Sequence, residues 1–298
     1  MADQDLPVIA KFAVRRRAYI APDGTLLRDL PDFASDQELV VSLYRAMVLA
    51  RTFDLKAVSL QRTGRLGTYA TSLGQEAVAV GLASAMRPED TLLPSYRDNA
   101  ALLWRGVTME EILLFWGGDE RGNHWSGPTH DFPFCIPVGS QAPHAAGVAY
   151  SFKYRKETRV AVCILGDGAT SKGDVWEAMN FAGIWKLPVV FVVNNNQWAI
   201  SVPLKLQTAT QTLAQKAIAA GFCGEQVDGN DLPYALQSTR RSRRLVRGKG
   251  RASSRPSPID SATTPQQMMR RVIARRRKSR SAGRRSRMPD CGLISSAG

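Results

Sequence analysis

Apolar and polar positions fall in blocks along this chain, and the blocks predict an order of elements. Leu39, Leu43, Met47 and Ala50 recur at helical spacing behind Asp36, a good N-cap, so a helix is expected from Gln37 towards Leu60. A second is expected over Gln75 to Ala85, ended by Arg87-Pro88. Thr108 caps a third that runs to Trp116 and stops at Gly117-Gly118. A long loop leads to Val138, a helix follows over Ala142 to Phe152, and Thr208 to Ala220 reads as a later helix. Before all of these, Met1 to Ser35 reads as an extended arm with a turn at Pro22-Asp23-Gly24. Leu92-Leu93-Pro94 leads into Tyr96-Arg97, and no internal repeat is visible.

The most regular block is the run Val160 to Leu165, the helical stretch Val175 to Lys186 and the run Pro188 to Val193. Apolar run, helix, apolar run is a βαβ unit, so the two strands are parallel and end on one edge of the sheet. Ligands bind at that edge in open α/β sheets. There the first run closes on Gly166-Asp167-Gly168 and the second on Asn194-Asn195-Asn196. These residue types suit a hard divalent cation holding a diphosphate. Mg²⁺ takes near-octahedral oxygen coordination, which a carboxylate, an amide oxygen, a backbone carbonyl, phosphate oxygens and water supply together. Gly166 and Gly168 let the backbone approach phosphate, and the helix beginning near Asp174 offers amide donors. Gly-Asp-Gly by itself is equally readable as a plain turn; its pairing with Asn196 across one βαβ unit favours a site.

At this point the residues resemble a known family. Gly-Asp-Gly followed after a helix by Asn-Asn looks like the thiamine-diphosphate fingerprint. The text from Gly166 through Asn180-Phe181-Ala182-Gly183-Ile184-Trp185-Lys186-Leu187-Pro188 to Asn195-Asn196-Gln197-Trp198-Ala199-Ile200-Ser201 is similar to the alpha subunits of acetyl-transferring pyruvate dehydrogenase first components, within the thiamine-diphosphate-dependent 2-oxoacid dehydrogenases. Gly64-Arg65-Leu66-Gly67-Thr68-Tyr69-Ala70, Leu73-Gly74-Gln75-Glu76-Ala77, Pro94-Ser95-Tyr96-Arg97-Asp98 and Val138-Gly139-Ser140-Gln141 fit the same family in the same order. The resemblance runs from about Asp36 to Asp231.

The resemblance implies an α/β fold with a parallel sheet flanked by helices, and roles residue by residue. Asp167 and Asn196 would ligate Mg²⁺ by side-chain oxygens, and Trp198 by its carbonyl. Tyr96 and Arg97 would contact the diphosphate, Arg97 with the alternative of a surface pair with Asp98. Gly168 and Ala169 would offer amides, and Ile136 and Val138 would line thiamine diphosphate, although relatives often carry Gly or Ser at the place of Ile136. Ser140 and Gln141 stand where some relatives bind potassium. The expected partners are a beta subunit, in an assembly of two alpha and two beta chains, and a lipoyl-bearing acyltransferase, with pyruvate as substrate. A glutamate on the beta chain would activate the cofactor, so this chain alone should be inactive. The branched-chain 2-oxoacid enzyme shares the motifs and is the nearest rival; Ile184-Trp185-Lys186-Leu187-Pro188 tilts the reading to pyruvate.

Composition permits this reading. A chain of 298 residues with 44% hydrophobic content can build one large α/β domain or two small ones. Cys135, Cys163, Cys223 and Cys291 show no paired spacing, so neither zinc nor a disulfide framework is indicated, and Cys163 reads as a small buried hydrophobe. His124, His130 and His144 lack metal-ligand spacing; the first two read as solvated loop residues. No apolar run is long enough for a membrane span, and Pro22, Asp23 and Gly24 interrupt whatever would follow Arg15-Arg16-Arg17 in a twin-arginine signal. A cytoplasmic protein is expected.

The net charge of +14 is unevenly placed. Of 40 Lys and Arg, 18 lie from Asp231 onward with 3 of the 26 acidic residues, which leaves 22 basic and 23 acidic residues before it. The chain therefore reads as a near-neutral domain over 36–231, after an arm over 1–35, with an Arg/Ser-rich, disordered tail over 232–298. The tail has three readings: a nucleic-acid arm, a solvated tail without function, or a shifted reading frame. The third is favoured, because suitable codons for Ser261 to Arg270, shifted by one frame, read as a histidine-containing loop resembling the family's. In that case the loop is absent as translated protein, no catalytic residue is assignable, and the chain is impaired or an inactive remnant.

Overall fold

The computed structural model describes residues 9–231, 236, 240 and 259–262, all of them within the unit Met1–Thr264. In chain order the elements are β1 (Arg15–Arg17), α1 (Gln37–Arg62), α2 (Glu76–Ala85), β2 (Thr91–Leu93), α3 (Asn99–Trp104), α4 (Met109–Trp116), α5 (Gln141–Tyr154), β3 (Ala161–Gly166), α6 (Gly173–Ile184), β4 (Val189–Asn195), the hairpin strands β5 (Trp198–Ala199) and β6 (Val202–Pro203), α7 (Gln215–Ala219), β7 (Glu225–Val227) and β8 (Ile259–Ala262).

Six strands form one parallel sheet in the order β1-β7-β8-β4-β3-β2. The apolar runs of β3 and β4 are unbroken because both faces of the sheet are covered, as parallel sheets require. Val162, Ile164, Val190 and Val192 point into a core with Leu43, Phe53, Val80, Leu82, Leu102 and Ile112 from the first four helices. Their neighbours Ala161, Cys163, Leu165, Val189 and Phe191 point the other way, onto Ala145, Ala149, Val175, Met179 and Ala217 of α5, α6 and α7. Cys163 is a buried apolar residue, and burial pushes its thiol well up.

Asp36 caps α1 by accepting from the Leu39 amide at 3.0 Å, and Thr108 with Glu111 forms a reciprocal capping box on α4. The later helix is shorter than its periodicity predicts and begins at Gln215. Upstream, the Thr208 and Thr210 hydroxyls bond to each other at 3.0 Å and the Gln215 side chain caps the Thr212 amide at 2.9 Å, so side chains replace helical backbone bonds. Strand β2 and helix α3 are too short to register as periodic segments.

The arm is part of the sheet. Strand β1 pairs with β7, Arg15 opposite Glu225, and the Asp231 carboxylate accepts from the amides of Tyr19 and Ile20. As an edge strand of three arginines, two of them exposed, β1 carries no apolar signature. Within the segment read as a tail, β8 lies between β4 and β7; apart from it and residues 236 and 240, the expectations for 232–298 lie outside the described residues. No helix among the described residues is long and apolar enough to cross a membrane.

Candidate functional site

The C-terminal ends of β2, β3 and β4 share one edge of the sheet. Leu93 pairs with Cys163, Cys163 with Phe191 and Gly166 with Asn194. The edge therefore gathers Tyr96 and Arg97 after β2, Asp167 to Ala169 after β3 and Asn196 after β4. A parallel bridge between Ser95 and Cys135 draws the loop carrying Ile136 and Val138 to the same edge, and both residues are exposed there. Gln141 ties the start of α5 to β3 by donating to the Ile164 carbonyl at 2.8 Å.

Asp167 opens a tight turn, Asp167–Ser171, and is 1% exposed. Its Oδ2 has no hydrogen-bond partner. Burial raises its pKa, while the amides of Asp167 and Gly168, Gln207 and the charge of Lys216 act against that rise. A buried carboxylate oxygen without a partner is costly unless a cation or donor completes it. Among the described residues no group of three or more His, Cys, Asp or Glu is placed to hold a metal. A single carboxylate joined by amide and carbonyl oxygens is a donor set that suits Mg²⁺ and not zinc.

The β5–β6 hairpin lies on this turn, because a Cβ at Gly168 would stand 2.5 Å from the Ala199 Cβ. Asn196 leads from β4 into the hairpin, its Oδ1 accepting from the Trp198 amide at 2.9 Å, and Trp198, the first hairpin residue, is 56% exposed. Gln197 (φ 68°) and Ile200 (φ 57°) are left-handed, and for a β-branched residue that conformation is strained. Strain of this kind collects at functional sites. Asn194 donates to the Gln75 side chain at 2.7 Å, joining β4 to the loop before α2.

Arg97 is not paired with Asp98. Its Nη1 donates to the Thr71 carbonyl at 2.6 Å and its guanidinium lies 5.2 Å from the Tyr96 ring centroid. Asp98 is turned inward, accepting from the Ser95 amide at 2.6 Å and hydroxyl at 2.8 Å, and burial raises its pKa to about 6. Thr71 is itself anchored: Asp54, 1% exposed, accepts from the Tyr69 hydroxyl at 2.9 Å, the Thr71 hydroxyl at 2.6 Å and the Ser72 amide at 2.7 Å. The Ser140 hydroxyl is bonded to the Pro137 carbonyl at 2.7 Å. His124, His130 and His144 are all exposed. A cavity of about 670 Å³ lined by Met86, Glu89, Trp104, Arg105 and His130 lies before β2, at the opposite edge, and is lined by none of the residues expected to hold cofactor or metal.

Sequence reasoning missed Lys216. It is 6% exposed, and its Nζ donates to the Thr170 carbonyl at 2.9 Å and hydroxyl at 2.8 Å. Its one signal was a single charge among the small apolar residues of α7; Asp54 gave none beyond a polar residue on an amphipathic helix.

A family model described as Dehydrogenase E1 component matches residues 44–253. The chain belongs to the dehydrogenase E1 component family. Among similar curated proteins, each described as pyruvate dehydrogenase E1 component subunit alpha, that of Acholeplasma laidlawii is 44% identical over 210 residues, covering 70% of this chain and 61% of its own. That of Bacillus subtilis is 42% identical over 235 residues, covering 78% and 62%. The chain thus spans about three fifths of the length of these relatives. Among solved structures, transketolase from Campylobacter jejuni superposes with a TM-score of 0.54 at 18% identity, over 74% of this chain and 38% of that one. Transketolase from Leishmania mexicana gives 0.50 at 19% identity, over 74% and 36%. At these identities the likeness is one of fold, and it is the α/β fold with a parallel sheet flanked by helices expected from the sequence.

Proposed function

We propose that this E1 family chain is the alpha component of a thiamine-diphosphate-dependent pyruvate dehydrogenase. In this reading it binds the Mg²⁺ and diphosphate of the cofactor and works with a beta chain, as two of each, delivering acetyl groups to a lipoyl-bearing acyltransferase. The observation that carries it is the buried Asp167 carboxylate, with an unsatisfied oxygen, at the strand edge that also bears Asn196 and Arg97. Asp167, the Asn196 amide oxygen and the Trp198 carbonyl would hold Mg²⁺. Arg97 and Tyr96 would orient the diphosphate, the amides of Gly168 and Ala169 would neutralise it, and Ile136 and Val138 would exclude water around the cofactor. When bound, the cofactor supplies the electron sink for decarboxylation of a 2-oxoacid. The similarity to alpha subunits of pyruvate dehydrogenase supports pyruvate over branched-chain acids. The test is turnover by the full chain mixed with a beta subunit, Mg²⁺ and thiamine diphosphate, on pyruvate against 3-methyl-2-oxobutanoate. Pyruvate is expected to be preferred; preference for the branched acid would overturn the substrate, and an absence of magnesium-dependent cofactor binding would overturn the site.

A further inference from the structure

Lys216 is a buried cation that none of the roles above uses. It comes from α7, a helix brought hard against the end of α6: a Cβ at Gly183 would stand 2.2 Å from the Ala220 carbonyl oxygen. That approach delivers the ammonium to the turn at the end of β3. Nζ donates to the carbonyl and the hydroxyl of Thr170, and the same hydroxyl donates to the Asp167 carbonyl at 2.7 Å. The relay is therefore ammonium to hydroxyl to the backbone of Asp167, and it spans the Asp167–Ser171 turn that contains Gly168 and Ala169. The Trp176 ring centroid lies 5.7 Å from Nζ and covers the cation from α6.

Burying an ammonium is expensive, and here the Thr170 carbonyl and hydroxyl, the Trp176 ring and the charge of Asp167 act against that cost. A turn built to receive an anion and a dication must keep its amides in place before either arrives, since binding energy is lost in ordering a loose turn. We propose that Lys216 is a positioning residue for diphosphate: through Thr170 it holds the Asp167–Ser171 turn in its binding shape, and its charge balances Asp167 so that the edge is not net repulsive to an anion. The inference rests on reading this turn as the diphosphate site.

The experiment uses the full chain with Mg²⁺ and inorganic diphosphate as the probe, titrated by calorimetry, with unliganded melting measured alongside. Lys216→Met is expected to weaken binding about tenfold, the scale of a lost hydrogen bond to a charged group. Lys216→Arg should restore much of it, and Thr170→Val, which removes the relay hydroxyl and little volume, should weaken binding severalfold. A purely structural lysine predicts lower melting with the affinity of the folded protein unchanged, and that result overturns the proposal. Should Lys216→Met fail to fold, unchanged affinity in Thr170→Val overturns it equally. If the folded wild type takes up no diphosphate, the site reading itself falls and this inference with it; if it binds and the variants match it, only the inference falls.

Discussion

Gly168 and Ala199 are packed so closely that no side chain fits between them: a Cβ at 168 would meet the Ala199 Cβ at 2.5 Å. This contact seats the hairpin that follows Asn196 and bears Trp198 on the turn bearing Asp167. Gly168→Ala is expected to cost about 1–3 kcal/mol through overpacking and to weaken magnesium-dependent cofactor binding. Ala199→Gly in the same chain reopens the space and should recover most of both, as read by denaturant midpoints and titration. An unchanged midpoint in the single variant would count against the close packing.

Asp54 supports the candidate site at one remove. Its buried carboxylate accepts from Tyr69, Thr71 and Ser72, and the Thr71 carbonyl in turn holds Arg97. Asp54→Ala orphans these donors and is expected to destabilise by about 3 kcal/mol or more. Asp54→Asn keeps acceptor oxygen on one side and should lose less. In both, affinity for Mg²⁺ with diphosphate should fall along with thermal stability; stability falling alone would mean that Arg97 is placed independently of this network.

Stability should also depend on pH through Asp98. Burial raises its folded pKa from 3.8 to about 6, so the group favours the folded state when protonated. Its contribution is complete below the unfolded value of 3.8 and is lost as pH rises through about 6. Two pKa units correspond to roughly 3 kcal/mol. Asp98→Asn should remove this slope between about pH 4 and pH 6. Urea midpoints of both proteins across that range check it, and parallel curves would refute the assignment.

Arg97 anchors one arm of its guanidinium on Thr71 and stands over Tyr96. Lysine can supply the charge but not both the anchor and a planar fork. Arg97→Lys is expected to weaken diphosphate binding by about tenfold and Arg97→Ala by more, with little change in melting temperature. Equal affinity in wild type and the lysine variant would remove Arg97 from the site.

What the linear chain determined was the frame of the candidate site. The unbroken apolar runs before Asp167 and Asn194, with one helix between them, are local signals, and a βαβ connection leaves little freedom in where the two strands end. Helices with caps and periodic faces, such as α1 and α4, were legible for the same reason. Tertiary structure alone decided that three arginines form an edge strand, that Thr208 to Ala214 is not helical, that Arg97 bonds to Thr71 and not to its neighbour Asp98, and that Lys216 and Asp54 reach the site from far along the chain. Each depends on a partner distant in sequence: a buried charge or an edge strand is stabilised by groups that spacing and periodicity cannot bring into view, because those measures register only neighbours along the backbone.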